Sequence, residues 1–393
     1  MDHAADASDA VNRSPRQEAR PSLGERRSAP PSKPRSTPLS KPGRQQGGLS
    51  ALTSPTSAQG LPRHFGTRRI GIGRAHGKII LIGEHAAVYG APALAGPVPQ
   101  LPVTASVAQL PDAEGGSGEA SFSVTSAVTG TVAMKATDGL QRLVVEFKER
   151  TEVTDQQHID VVVDCEIPLG RGLGSSAACA RAIVLGLADL YDRELDEDTV
   201  FELVQIAENV AHGRASGVDA LATGARAPFL FSAGTADTLP TARETPIGLD
   251  GFLVIADSGE AGGTREAVEM LRASFGREEG SQERFLTRAN ELTGAAVRDL
   301  AEGRVAELGE SFTAYHELLR AAALSTQRID ALVEAALAAG SHGAKISGGG
   351  LGGCMIALAD GTDQARHIET RLREAGAART WTTPLKRSTD RAS

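Results

Sequence analysis

The sequence predicts a mixed α+β protein, and three observations carry that prediction. Aromatic residues make up 4% of the chain against 40% hydrophobic residues overall, so the core must be built from Ala, Val, Leu and Ile. That composition suits α/β or α+β layers better than a β-sandwich. Ile159–Ile167 alternates as a strand does, then enters a glycine-rich turn, Pro168-Leu169-Gly170-Arg171-Gly172-Leu173-Gly174, and Ser175–Tyr191 follows as an apolar, helix-like run. Strands and helices keep mixing through the rest of the body, with a break near residue 245.

In chain order, residues 1 to about 66 read as a disordered tail rich in Pro, Ser, Arg and Gly, in which Pro30, Pro31, Pro34, Pro38 and Pro42 exclude a helix. From Arg69 the pattern becomes ordered. Ile79–Ile82 reads as a short buried strand, and Val103–Val107, Leu143–Phe147 and Ile159–Cys165 as further strands. Asp198 is placed to cap a helix through Val200, Leu203, Val204, Ile206 and Ala207. Phe252–Ile255 is a strand ending at the turn Asp257-Ser258-Gly259. Helices follow at Arg265–Phe275, Ser281–Glu302, Val305–Ala323 and Ser325–Ala339, the last with Gly340 as a left-handed cap. Met355–Ala359 is a strand, Asp363–Ala375 a helix and Ala378–Thr382 a final strand. The resulting domains are a tail over 1–66, a first domain over 67–245, a second over 246–385 and a flexible end over 386–393.

The net charge of −8 is unevenly spread: residues 1–66 hold ten Arg/Lys and five Asp/Glu, so the remainder is close to −13. An acidic body gives no indication of nucleic-acid binding and needs local positive charge wherever it meets an anionic substrate. The basic stretch Arg13–Arg44 could touch nucleic acid or anionic lipid; a solvated tail, or a translation start further in, are the plainer readings. No apolar run reaches the ~20 residues of a membrane span, and no signal-peptide core stands near the start. Cys165, Cys179 and Cys354 are odd in number and widely spaced, which argues against a disulfide framework or zinc site and makes a reducing cytoplasm the expected location.

The turn after Ile167 is a ready anion site. Glycines let backbone N–H groups approach a phosphate, and the dipole of the following helix favours negative charge. Ser175 and Ser176 add hydroxyls suited to Mg²⁺, so the loop points to a nucleoside triphosphate. It is not Walker A, since it lacks the lysine, and its third glycine spacing is wrong for a dinucleotide fingerprint. The same glycines would serve a plain strand-to-helix turn, and the loop alone leaves both readings open. In His76–Gly90, Lys78 opens the strand Ile79–Ile82 and Glu84-His85 follow it; buried charge costs several kcal/mol per ion unless paired, and the alternative is a surface ion pair with a turn at Gly83. Glu208, on the last turn of a helix, opposes the dipole there and suggests metal binding. Asp219, after Ser216-Gly217-Val218, is either a functional carboxylate or an N-cap. The glycine run Ser347-Gly348-Gly349-Gly350-Leu351-Gly352-Gly353 marks close approach to a ligand or backbone, or a flexible turn.

Together these motifs, in order over roughly residues 69–383, resemble the GHMP kinases, the small-molecule kinases named for galactokinase, homoserine kinase, mevalonate kinase and phosphomevalonate kinase. Gly77-Lys78-Ile79-Ile80-Leu81-Ile82-Gly83-Glu84-His85-Ala86-Ala87-Val88-Tyr89-Gly90 is similar to the mevalonate kinase form, and Ser216-Gly217-Val218-Asp219 matches it also. Gly172-Leu173-Gly174-Ser175-Ser176-Ala177-Ala178 is shared by the whole family, and Lys345-Ile346-Ser347-Gly348-Gly349-Gly350 differs from a common Ser-Gly-Ala-Gly form, a change expected to have no consequence. The resemblance implies two α+β domains, one like ribosomal protein S5 domain 2 and one ferredoxin-like, with the site in the cleft between them. It implies phosphorylation of the primary hydroxyl of mevalonate with ATP as co-substrate; another kinase of the family, or a non-catalytic ligand sensor, are the alternatives.

By position, the resemblance makes Pro168, Gly170, Gly172, Leu173, Gly174, Ser175, Ser176 and Ala177 the cradle for ATP phosphates, closed by Gly348, Gly349 and Gly350. Ser176 and Glu208 would hold Mg²⁺, with Ser175 as the alternative hydroxyl. Asp219 would be the catalytic base and Lys78 would stabilise charge developing on the alkoxide and phosphoryl group. Glu84 and His85 would border the substrate, His85 as partner for a carboxylate, and Thr264 would lie on the substrate side, although the proline usual near its turn is missing. No membrane partner is expected, and a homodimer is left open. Deleting residues 1–66 is expected to leave turnover and melting temperature unchanged; a large loss of either, in a direct comparison with the full chain, would mean the tail packs on the body.

Overall fold

The structure, a computed structural model, describes residues 69–110, 120–126, 130–132, 138–213, 215–234 and 238–388, so the tail read over 1–66 lies outside the described residues. The first sheet starts from β1 (Ile70–Ile82) and β2 (Ala93–Leu110), an antiparallel pair joined by a turn that holds a short 3₁₀ helix, Ala86–Tyr89. Pro97, Pro99 and Pro102 deprive β2 of ladder donors, and the register jumps there, from His76 opposite Pro102 to Gly77 opposite Val98. Lys78 is the next residue. β3 (Ala120–Ser126) and β4 (Gly130–Val132) precede α1 (Asp138–Arg150) and β5 (His158–Cys165). α2 (Ser175–Tyr191), α3 (Glu197–His212), α4 (Val218–Ala222), β6 (Phe229–Ser232) and β7 (Thr241–Glu244) follow. The strand order is β4-β3-β5-β2-β6-β7, with β1 paired to β2.

The second sheet begins at β8 (Gly251–Asp257). Four helices come next: α5 (Thr264–Phe275), α6 (Ser281–Glu302), α7 (Val305–Ala321) and α8 (Gln327–Ala338). β9 (Gly343–Ser347), β10 (Cys354–Ala359), α9 (Thr362–Glu374) and β11 (Arg379–Leu385) complete it. Its order is β11-β8-β10-β9 and all its pairings are antiparallel. Strands and helices mix in both layers, so the α+β reading holds.

Three local readings are corrected. Leu143–Phe147 is helical: Leu140, Leu143, Val144 and Phe147 are buried at helical spacing in α1, while Val145 faces out at 52% exposure. The Val-Val pair mimics a strand when read without its neighbours. The cap of α3 is Asp196, whose side chain accepts from the Thr199 N–H at 2.8 Å; Asp198 sits in the first turn, where its charge suits the dipole. At α4 the cap is Gly217, so Asp219 is a residue of the first turn and not an N-cap.

α2 lies directly on β1. A Cβ at Gly73 would fall 1.9 Å from the Ala182 carbonyl oxygen, and one at Gly71 would fall 2.1 Å from that of Gly186. The helix that carries the glycine loop is thereby held at backbone distance from the strand that carries Lys78. Gly73→Ala is expected to destabilise the protein by about 2–3 kcal/mol through overpacking. An unchanged urea midpoint would mean α2 lifts off β1 without penalty.

Candidate active site

The glycine loop is built on alternate left-handed residues: Gly170, Gly172 and Gly174 have φ of 70°, 76° and 76°. Such repeated αL positions turn successive backbone N–H groups toward one side, the geometry of an anion nest. α2 starts immediately after, and its N-cap Gly174 supplies no side-chain acceptor for the first-turn N–H groups. Ser175 and Ser176 are its first two residues, and Ser176 is exposed. Pro168, Leu173 and Ala177 have buried side chains, so any part they take in binding falls to the backbone. Gly174 also fits closely over Lys78: a Cβ there would lie 2.7 Å from the lysine Cγ.

The loop is held from the other sheet. The Gly262 N–H donates to the Gly170 carbonyl at 2.9 Å, and Arg171 Nε lies 3.4 Å from Asp257 Oδ1. Gly348 meets it backbone to backbone, since a Cβ at 348 would sit 2.7 Å from the Gly172 carbonyl oxygen.

Beside the loop lies a cavity of about 400 Å³, and it collects residues from every motif: Lys78, Glu84, His85, Glu208, Asp219 and Thr264, with Gly172, Gly348 and Gly349 at its edge toward the loop. Pro168, Gly170, Leu173, Gly174, Ser175, Ser176, Ala177 and Gly350 do not line it. Lys78 Nζ is 2.9 Å from Asp219 Oδ1; the lysine side chain is 3% exposed and the carboxylate 35%, so the pair is anchored in protein and opens at its acidic end. Glu208 is buried on α3, close enough to Cys179 on α2 for its charge to raise that thiol's pKa.

Glu84 is tied from behind. Its carboxylate pairs with Lys345 of β9, which is fully buried, and its carbonyl accepts from Tyr315 Oη at 2.9 Å. The Lys345 ammonium also lies 5.6 Å from the Tyr315 ring centroid. Burial pushes the Glu84 carboxyl up and the Lys345 ammonium down, and each is drawn back by the other's charge. His85 sits at φ 63° with its side chain buried, and desolvation, reinforced by Lys345, lowers its pKa to about 4. The imidazole is therefore neutral near pH 7.

Thr264 opens α5 against Gly349. A Cβ at 349 would lie 2.0 Å from Thr264 Oγ1, so glycine here is required by space, contrary to the expectation that it has no consequence. Gly350 faces His85, whose Nε2 would lie 3.2 Å from a Cβ at that position.

Sequence reading missed Lys345 as a partner for Glu84, and Tyr89, Gln205, Arg265 and Arg272 on the cavity wall. The available signals were a lysine inside a short strand and the helical period of α5. Glu84 Oε2, His85 Nε2, Tyr89 Oη and Gln205 Oε1 are buried without a hydrogen-bond partner among the described residues, and all four residues line this cavity. Unsatisfied buried polar atoms are costly, and their convergence suits a polar ligand.

Residues 138–225 match the family described as GHMP kinases N terminal domain, and residues 296–378 match GHMP kinases C terminal. The mevalonate kinase of Pyrococcus horikoshii is 32% identical over 318 residues, covering 77% of this chain and 92% of that protein. That of Pyrococcus abyssi is 32% identical, covering 78% and 93%. In three dimensions the chain resembles L. major mevalonate kinase in complex with R-mevalonate, with a TM-score of 0.69 at 21% identity over 82% of this chain and 98% of that one. It also resembles mevalonate kinase from Staphylococcus aureus, with a TM-score of 0.61 at 27% identity over 80% and 98%. Motifs, family models and similarity over 77–78% of the sequence agree, and the chain belongs to the GHMP kinase family, among the mevalonate kinases.

Proposed function

We propose that the chain transfers the γ-phosphoryl group of ATP to the primary hydroxyl of mevalonate, giving 5-phosphomevalonate. The observation that carries this reading is the Lys78–Asp219 pair at 2.9 Å, opening into a cavity whose edge is Gly172 of the glycine loop. Phosphoryl transfer needs positioning and charge neutralisation more than covalent chemistry. Asp219 accepts the hydroxyl proton as the alkoxide forms, and Lys78, held beside it, offsets negative charge on the attacking oxygen and the phosphoryl group. The backbone N–H groups of Gly170–Ser176 cradle the phosphates, and Gly348–Gly350 closes over them. The body divides accordingly into an ATP-binding domain over 67–245 and a second domain over 246–385.

The donor chemistry at the loop and on α3 suits Mg²⁺. Among the described residues no three His, Cys, Asp or Glu side chains gather into a metal cluster. Ser176 and Glu208 would hold Mg²⁺ through two hard oxygens, a hydroxyl and a carboxylate, the donor type the ion prefers. When bound, Mg²⁺ neutralises charge on the transferring phosphoryl group. His85 is neutral and acts as a hydrogen-bonding wall of the cavity, not as a cation. No helix among the described residues is long and apolar enough to cross a membrane.

The test is coupled ADP release with Mg-ATP and mevalonate, phosphomevalonate, galactose or homoserine. Turnover on mevalonate alone is expected; turnover on another substrate would keep the mechanism and discard the substrate. Asp219→Asn is expected to lower kcat about 100-fold or more with the fold intact, and near-normal turnover would remove Asp219 from its role. His85 gives a pH prediction. Unfolded, it takes a proton near pH 6.5; folded, near pH 4. Between those values the unfolded state binds more protons, so the stability His85 contributes above pH 6.5 is lost as the pH falls toward 4. The stability difference between wild type and His85→Gln is expected to change by about 3 kcal/mol across that window. A constant difference in urea melts would show that His85 is not the titrating group.

A further inference from the structure

α5 presents one stripe to the cavity. Thr264, Val268 and Arg272 line it at four-residue spacing, with Arg265 and Glu269 on the adjoining row. The row on its other flank is core: Ala267 is 0% and Leu271 1% exposed. Eight residues of helix rise about 12 Å, so the stripe runs from the phosphate-loop edge at Thr264 to a far end at Arg272. Tyr89 meets it there. Its ring stacks edge-on against Phe275, with centroids 5.5 Å apart, and the Arg272 guanidinium lies beside its hydroxyl.

The cations around the cavity are otherwise engaged. Lys78 is paired with Asp219, and Lys345 behind the wall is paired with Glu84. Arg265 Nη2 donates to the Ala211 carbonyl at 2.7 Å. Arg272 has no carboxylate within ion-pair distance among the described residues; its neighbour is the Tyr89 hydroxyl, which can accept from the guanidinium and still donate its own proton. The body is strongly acidic, so an anionic substrate needs a local cation on this wall.

We propose that Arg272, with the Tyr89 hydroxyl as second donor, binds the carboxylate of the substrate and sets the enzyme's selectivity for a hydroxy acid over a neutral alcohol. This rests on the mevalonate reading above. A planar guanidinium suits a carboxylate through paired N–H donors, and the Tyr89 hydroxyl supplies a further hydrogen bond. The carboxylate is remote from the reacting oxygen and changes little during transfer, so the interaction is a uniform one that acts on KM. A purely structural Arg272, in the last turn of α5, would only complement the helix dipole and leave KM alone.

The experiment compares wild type, Arg272→Gln, Arg272→Lys and Tyr89→Phe on mevalonate and on mevalonamide, in which a neutral amide replaces the carboxylate. Arg272→Gln is expected to raise KM for mevalonate about 10- to 100-fold, the scale of a lost hydrogen bond to a charged group. Its kcat, its KM for ATP and its KM for mevalonamide stay near wild type, and lysine restores part of the loss. Tyr89→Phe is expected to show the same selectivity with a smaller rise. Equal losses on acid and amide, or an unchanged KM for mevalonate, would overturn the assignment while leaving the kinase reading intact. Failure of wild type to phosphorylate mevalonate at all would overturn the kinase reading and this assignment with it. Arg272 is exposed, so loss of folding is not expected, and the melting temperature of each variant checks it.

Discussion

Lys345 and Glu84 form a fully buried ion pair that joins the two sheets, and the site is assembled around it. Two charges removed from water are tolerated only where geometry is fixed and the remaining hydrogen-bonding capacity is met. The geometry is fixed here, and all but Glu84 Oε2, which is left for a ligand in the cavity, find partners in the protein. Lys345 also donates to the Ile346 carbonyl, and Tyr315 fixes the Glu84 carbonyl. Two residues on along β9, Ser347 points the same way, and its Oγ accepts from the Ile80 N–H and donates to the Ile80 carbonyl, both at 3.0 Å. The Lys-x-Ser spacing of the third motif is therefore a strand period. It puts an ammonium and a hydroxyl on one face, and both grip the end of β1. Lys78 lies in that same strand, so the contacts that hold the end of β1 also fix the lysine that pairs with Asp219.

This arrangement requires backbones to touch. Gly172 against Gly348, and Gly174 over the Lys78 stem, close distances that a Cβ would hold open. The glycines of the phosphate loop thus do two jobs with different physical origins. Their positive φ turns N–H groups toward an anion, and their missing side chains let the second sheet come within reach of the first.

What the sequence disclosed follows from where the information sits. α2 and α6 agree with the structure at both ends because their boundaries are local: Gly174 precedes α2, and α6 runs between Gly280 and Gly303, all with positive φ. β2 was legible only at Val103–Val107, past its three prolines, which the chain absorbs in a register jump. β9 was missed because it carries a lysine and a serine, which look exposed until Glu84 and Ile80 supply partners from far away in sequence. The motifs named Lys78, Glu84, His85, Glu208, Asp219 and Thr264, and these do share one cavity. Spacing could not show that His85 would be neutral, that Glu84 faces a lysine, or that α5 forms a wall. Those properties depend on burial and on neighbours contributed by other elements.

The glycine at 349 shows how a small departure from a family pattern acquires a physical meaning. Its neighbours Gly348 and Gly350 have φ of 94° and 77° and need glycine for conformation. Gly349 is not among the positive-φ residues, so a larger side chain is excluded there by space alone. The space is filled by Thr264, whose Oγ1, Cβ and Cα all lie within 3.0 Å of where a Cβ would be. Thr264 is the first residue of α5, and a helix moves nearly as a rigid rod. An alanine at 349 would push that first turn away from the glycine loop, and with it the row that runs through Val268 to Arg272. The position that closes the phosphate end of the cavity therefore also bears on the first residue of the helix that forms its wall.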